Sequence, residues 1–377
     1  MSNVAGIILS NLNTTTNTQM TVDRTVAAIP FAGRYRLIDF ALSNLINADV
    51  SKINVVVNYN YRSLMEHIGS GKDWDLARRG AGIRLLSPYQ LSGSTSSKLY
   101  STHLEALADI IPIIDDLQEE NVIICDSDIV CNVDLTSALA YHEEMNADVT
   151  IVSALHPRRG NIRAARVYLR ADKEGRVEDI ALGRETTDEV PELCLNIFIL
   201  KTSRLRAYLA EAAARNYHSF TRDILMSHVK DGTIYRYGHE GYYAFVADVE
   251  EYYARSIELV LNPTAREELL GNEARPIFTK VHNSAAVRYG KNAHVSNSLI
   301  ADNCVIDGTV ENSIIFRGVH VGAGSVIRNS IVMGGAHIGK NVTLNCVVSD
   351  KLTYVSDGKR LEGCSTLPFF IPKKKHI

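Results

Sequence analysis

The sequence predicts a doubly wound α/β domain followed by a parallel β-helix, and three observations carry the prediction. The first two thirds alternate short apolar runs with longer amphipathic ones, the pattern of strands and crossover helices in a parallel sheet. From about Val281 helical periodicity disappears and aliphatic residues recur at steps of six, as in Val321, Ile327 and Met333, Ile300 and Ile306, or Ile338 and Leu344. The 377 residues suit about two domains of roughly 150 residues each.

The apolar run Gly6 to Leu9 reads as a buried first strand. Ile53 to Tyr59 is a second, and the segment RSLMEHIG after it places Leu64, Met65 and Ile68 on one helical face. A helical stretch LEALADIIPIIDDLQEE leads into the strand Asn121 to Asp128, and a helix containing SALAYHEEMN leads into Ala147 to Leu155. Cys194 to Leu200 closes the series. Ligands of such a domain sit at the carboxyl ends of its strands.

In the second region VGAGSV and IGKNVT each carry an aliphatic residue, a glycine, then a small or branched residue in the fifth place. That pattern fits triangular coils in which the aliphatic side chain points inward on each short side. Three sides make a coil of about 18 residues, so the stretch from Val281 to Ser349 holds about four coils. The alternative is an irregular all-β domain with accidental spacing. Pro263 and Pro276 mark the expected boundaries, giving domains at 1–260 and 281–372 joined by a linker at 261–280.

A hydrophobic fraction of 46%, a charged fraction of 22% and a net charge of -3 without long like-charge blocks describe a globular chain, with no expectation of nucleic-acid binding. No apolar stretch approaches the roughly 20 residues of a membrane span, and no cleavable leader is evident, so a cytoplasmic location without membrane contact is expected. Six cysteines, with no CxxC pair and no histidine at zinc spacing, read as reduced thiols. The basic tail KKKH at Lys373 to His376 reads as a solvated end.

At IPFAGRYRLIDFALSNLINADV, Ile29 to Val50, the chain closely resembles the signature of the glucose-1-phosphate adenylyltransferase family. The resemblance continues through His67 to Leu76, Ser127 to Leu135, Ser219 to Leu225 and Gly241 to Leu261, and covers nearly the whole chain. It implies a nucleotidyltransferase domain, Rossmann-like with a mixed, mostly parallel sheet, and a C-terminal left-handed parallel β-helix. The family's reaction is attack by a sugar phosphate oxygen on the α-phosphorus of ATP with loss of pyrophosphate. Charge neutralisation and positioning drive it.

The family's phosphate loop, A-G-G-x-G-T-R-L, is emptied here. Counting without a gap from Leu9 to Arg24, its three glycines become Asn11, Leu12 and Thr14, and its arginine becomes Thr16. Leu12 puts a side chain where phosphate needs open backbone, and Thr16 removes a charge-assisted contact. The lysine that faces the phosphates becomes Val26, while Arg24 survives. Of the two aspartates that hold Mg²⁺ in the family, one survives as Asp128, beside Asp126 and Asp134, and the other becomes Phe245. Asp248 lies three residues on and would have to compensate from a different reach and face. Asp126 and Asp128 equally suit a solvated strand end.

The substrate motif W-Y-x-G-T-A-D-A appears as LYSTHLEA, keeping Tyr100 and replacing Gly-Thr with Thr102 and His103. The E-K-P lysine has no counterpart, Arg184 being the nearest cation. His103 reads as a helix N-terminal residue more readily than as a base, since this chemistry needs none.

Scaffold segments remain while the phosphate loop, lysine, arginine and second metal ligand have gone together, which resembles the family's non-catalytic D-type subunit. The resemblance implies a regulatory chain with no catalytic, cofactor-binding or metal-binding residues of its own, Mg²⁺ being expected only in a catalytic partner subunit. A heterotetramer and an anionic sugar-phosphate effector are further expectations, with Arg34, Arg36, Lys52 and Arg317 as candidate effector contacts or plain surface charges. One rival is a weakly active nucleotidyltransferase whose phosphate site is rebuilt from Asn11, Asn13 and the Thr14 to Thr16 hydroxyls. The other is a hexapeptide-repeat acyltransferase using His294, His320 or His337, whose corner positions favour solvent-facing residues.

Overall fold

The computed structural model describes residues 3–10, 19–77, 82–88, 99–155, 166–183 and 192–377. Strand β1 (Val4–Leu9) is buried along its whole length, as befits a strand covered on both faces. It pairs in parallel with β2 (Lys52–Val56), which is flanked by helices α1 (Leu37–Asn47) and α2 (Arg62–Ile68). β2 pairs in parallel with β3 (Gly82–Leu86). Gly6 admits α1 closely, because a Cβ there would stand 2.9 Å from Leu45 Cδ1. On α2, Leu64 and Ile68 are buried, one turn apart and joined on that face by His67. Met65, expected on the same face, is exposed; it sits one residue, about 100°, round the helix from Leu64.

The long helical stretch divides at Ile110 into α3 (His103–Asp109) and a five-residue helix Ile111–Asp115, since Pro112 has no N–H to continue the ladder. β4 (Asn121–Asp126) then pairs in parallel with the other side of β1, and the short β5 (Ile129–Cys131) follows it. Beyond α4 (Leu135–Glu144) the sheet becomes mixed. The strands β6 (Val149–Leu155), β7 (Arg166–Ala171) and β8 (Val177–Gly183) precede β9 (Glu192–Lys201), which runs antiparallel to β4, β6 and β7. A register shift in β9 between Cys194 and Ile197 leaves Asn196 with positive φ. Bulges of this kind re-aim side chains.

Helix α5 (Thr202–Arg215) and strands β10 (Ile234–Gly238) and β11 (Tyr243–Phe245) complete the domain with α6 (Val249–Leu261). The segment expected as a linker contains another helix, α7 (Pro263–Leu270). The preceding helix ends at Leu261, just ahead of Pro263 as expected, and Pro263 also opens α7: proline needs no N–H in the first turn, and Asn262 Oδ1 caps the amides of Thr264 and Ala265. The following strap is fastened to α1 and α2: Phe278 N–H donates to Ser43 Oγ at 2.8 Å, Thr279 Oγ1 to Asp39 at 2.6 Å, and Lys280 to the Glu66 carbonyl at 2.6 Å.

Three five-stranded parallel sheets, running between Arg288 and Ile371, form the β-helix. Five coils are therefore present: four within the stretch from Val281 to Ser349, as the repeat predicts, and a fifth beyond it. Equivalent contacts from a backbone amide to the serine hydroxyl one coil back recur 15 residues apart between Ser313 and Ser298 and 17 apart in later coils, against the expected 18 or so. Asparagines with positive φ at positions 297, 303, 312, 329 and 341 tighten the corners. Ile306, Val321, Ile327, Ile338 and Leu344 fill the interior as predicted. Met333 does not: Val332 takes the interior position, and alternation along the strand turns Met333 outward into the seam with the first domain.

That seam is a continuous apolar core. Phe31, Phe40 and Tyr252 from the α/β domain meet Ile314, Phe316, Ile331, Met333 and Val348 from the β-helix. Within it Arg24 forms a bond of 2.6 Å to each carboxylate oxygen of Asp350, both side chains being 3% exposed. Five cysteines are buried, Cys364 is exposed, and all six are free thiols. Among the described residues no helix is long and apolar enough to cross a membrane.

Candidate functional site

The site lies where β4 ends. Strand β11 runs antiparallel to β5 with Phe245 opposite Ile129, and the Val246 N–H donates to the Asp128 carbonyl at 3.0 Å. The sheet thus sets position 245 beside Asp128, the juxtaposition that two metal-binding carboxylates would need, and fills it with an aromatic ring. Asp248 accepts the Glu251 N–H at 2.7 Å as the N-cap of α6, so it is committed to starting that helix. Asp134 likewise caps α4 and pairs with Arg275 at 2.8 Å.

The guanidinium of Arg166, at the start of β7, lies over the Phe245 ring, 4.0 Å from its centroid. It also pairs with Glu251 at 3.3 Å, and Glu251 is held by the Ala247 N–H at 3.0 Å. Asp126 is 3% exposed; it accepts from Asn196 Nδ2 at 3.0 Å and lies 3.3 Å from His103 Nε2. Burial, helped by the charge of Asp128, pushes the Asp126 carboxyl well above the usual range, against the pull of Asn196 and Arg166. His103 is the first residue of α3, whose cap is Thr102, and burial lowers its pKa against the attraction of Asp128. Tyr100 is buried and donates its hydroxyl to Asp109.

Mg²⁺ requires near-octahedral oxygen ligands. The donors do not fit it: a phenyl ring stands at the second carboxylate position with a fixed cation above it. Among the described residues no group of three or more His, Cys, Asp or Glu side chains is arranged to hold a metal ion.

Val26, at the expected lysine position, begins a short helical turn and packs in the seam core at 5% exposure. The position has become part of the packing, so a lysine restored there would have to bury its charge. Arg24 serves the seam through Asp350. Asn11, Leu12, Thr14 and Thr16 lie outside the described residues, as does Arg184. Of the proposed effector contacts, Lys52 pairs with Glu119 at 2.5 Å, Arg317 grips Asp302 at 2.7 and 2.8 Å, and Arg34 donates to the Tyr35 hydroxyl. Arg36 donates to the Ser63 carbonyl at 2.6 Å and the Ser63 hydroxyl at 3.0 Å, and lies close enough to Arg24 to feel its charge. On the β-helix, His294 is exposed, while His320 stacks on His337 at 4.6 Å and His337 on Tyr354 at 5.0 Å along one outer face.

Sequence reasoning missed Arg166 and Asn196. Asn196 left a signal, a lone polar residue inside the apolar run CLNIFIL; Arg166 left none, since it reads as an outward strand position.

Residues 281–362 match the GlmU-like C-terminal hexapeptide family, and residues 6–181 match the nucleotidyl transferase family. The chain is 34% identical over 358 residues to the glycogen biosynthesis protein GlgD of Bacillus subtilis (strain 168), spanning 94% of this chain and 91% of the relative. It is 32% identical over 308 residues to the glucose-1-phosphate adenylyltransferase of Clostridium botulinum (strain Alaska E43 / Type E3), spanning 80% and 77%. A further glucose-1-phosphate adenylyltransferase, from Fervidobacterium nodosum, is 30% identical over 366 residues, spanning 96% and 86%. With the fold, the repeat and these relatives in agreement, the chain belongs to the glucose-1-phosphate adenylyltransferase family, and within it is similar to the glycogen biosynthesis protein GlgD.

Proposed function

We propose that this chain is a non-catalytic, regulatory subunit that assembles with a catalytic glucose-1-phosphate adenylyltransferase, as a heterotetramer, and modulates its formation of ADP-glucose. The observation that carries this is the combination of an intact scaffold with a phenyl ring and a guanidinium at the second metal-ligand position. A transferase that works by neutralising phosphate charge gains nothing from that exchange. Regulation would act by population shift, the chain favouring an active conformation of its partner with a coupling of about 1–3 kcal/mol. Two measurements test it. The chain alone, with ATP, Mg²⁺ and glucose 1-phosphate, is expected to form no ADP-glucose; robust turnover would sink the proposal. Mixed with the catalytic subunit from the same organism, it is expected to give a larger species by light scattering with an altered effector response.

The seam supports an anionic effector of the sugar-phosphate class. Arg24 pairs with Asp350, and Lys351 feels the charges of Arg36, Arg24 and Lys373 against that of Asp350, while Asp39 and Glu66 also face Arg36. Burial, then the charges of Arg36 and Arg24, push the Lys351 ammonium down to about 7 from 10.5. Between those two values the unfolded chain binds more protons, so this group makes stability rise with pH across that window, and below about 7 its cost is fully present. An anion seated there would favour the ammonium. Calorimetric titration with fructose 1,6-bisphosphate at pH 8, repeated in buffers of different ionisation enthalpy, is expected to show proton uptake; binding with proton release would remove Lys351 from the site.

A further inference from the structure

The residues at the degenerate metal position do more than fail to bind a cation. We infer that Arg166 is a built-in replacement for the divalent metal, a permanent cation clamped between the face of Phe245 and the carboxylate of Glu251, close enough to the buried Asp126 carboxylate to act on its charge. The inference concerns the same site as the non-catalytic reading and rests on it. Three elements build the clamp. β7 supplies the arginine, whose side chain is 10% exposed; β11 supplies the ring at 4.0 Å; α6 supplies Glu251 at 3.3 Å, itself fixed by the Ala247 amide. A guanidinium suits this setting as no divalent ion does. It is planar, weakly hydrated and always charged, so it stacks on an aromatic face while pairing with a carboxylate, whereas Mg²⁺ holds its waters and demands oxygen ligands.

Phe245 is then a necessary half of the device. A carboxylate at 245 would compete with Glu251 for the guanidinium, while a ring offers it a face and leaves Glu251 as partner. The cation also answers the acidic end of β4, where Asp126 is buried beside Asp128 and is partly relieved by Arg166. A metal-dependent charge balance has become a metal-independent one, so the fold keeps its acidic strand end without the ion.

Mn²⁺ titration of the full-length chain, followed by electron paramagnetic resonance, tests this on the wild type, Phe245→Asp and Phe245→Asp/Arg166→Met. The wild type is expected to bind no Mn²⁺ at millimolar concentration. The single variant is expected to bind poorly, because Arg166 still occupies the site. The double variant is expected to bind at least about tenfold more tightly than the single one. Equal binding by the two variants, or a wild-type site for Mn²⁺, would overturn the inference. If the double variant does not fold, amide NMR of the wild type still decides: Mn²⁺ is expected to leave the Ser127 and Asp128 signals unbroadened, and selective broadening of them overturns it. ADP-glucose formation is no part of the readout, so turnover by the chain alone would defeat the non-catalytic reading while the Mn²⁺ result separately decides this one.

Discussion

Replacing Asp350 with alanine is expected to destabilise the full chain by about 3–5 kcal/mol, the cost of leaving a buried charge without its partner. Arg24 places Nη2 2.6 Å from both oxygens of Asp350, and the Lys351 amide donates to the same carboxylate at 2.6 Å. Removing the acid leaves Arg24 near Arg36 and Lys351 without its paired carboxylate. The reverse change should be milder. Arg24→Met leaves Asp350 with the Lys351 amide and the nearby Lys351 ammonium, so about half the loss is expected. The double variant Arg24→Met/Asp350→Leu, which replaces the pair with apolar groups of similar volume, should recover most of the stability. Urea unfolding of the four proteins measures this; an Asp350→Ala midpoint equal to that of the wild type, or a loss on Arg24→Met larger than that on Asp350→Ala, would contradict the charge count.

The same pair shows where the sequence was readable and where it was not. Arg24 survives within a recognisable segment, so it reads as a remnant of phosphate binding; its partner lies 326 residues away, and no local pattern joins them. The β-helix was legible because its interior repeats: Val321, Ile327 and Leu344 each face the same kind of environment, and a period records that. Met333 shares the step but sits against another domain, and a period carries no information about what lies outside the coil. The first domain's strands were likewise legible from their apolar runs, whereas the antiparallel course of β9 depends on pairing between distant segments. At the site, Phe245 was visible as a substitution because a specific residue type was expected there. Arg166 acquires its role only once β7, β11 and α6 are brought together.

Tyr252→Ala should produce a second large effect, about 3–5 kcal/mol, and should also divide the unfolding transition. Tyr252 is fully buried on α6, 6.2 Å from Phe31 in an edge contact, and its hydroxyl donates to the Pro30 carbonyl at 2.8 Å. It belongs to the seam core that includes Ile314, Met333 and Val348, and its neighbour Tyr253 donates to the Asn329 carbonyl at 2.7 Å. A cavity there weakens the contact between the domains as well as the α/β core, so the two halves lose their reason to unfold together. Tyr252→Phe keeps the ring and removes the donor to the Pro30 carbonyl, for a loss of about 1–3 kcal/mol without a divided transition. The chain provides its own reporter: the sole tryptophan, Trp74, is buried beside His67 in the α/β domain, so its fluorescence follows that domain alone. Far-UV circular dichroism follows both. The two signals should coincide for the wild type and for Tyr252→Phe and diverge for Tyr252→Ala; coincident transitions in all three would mean that the seam is held by contacts other than this ring.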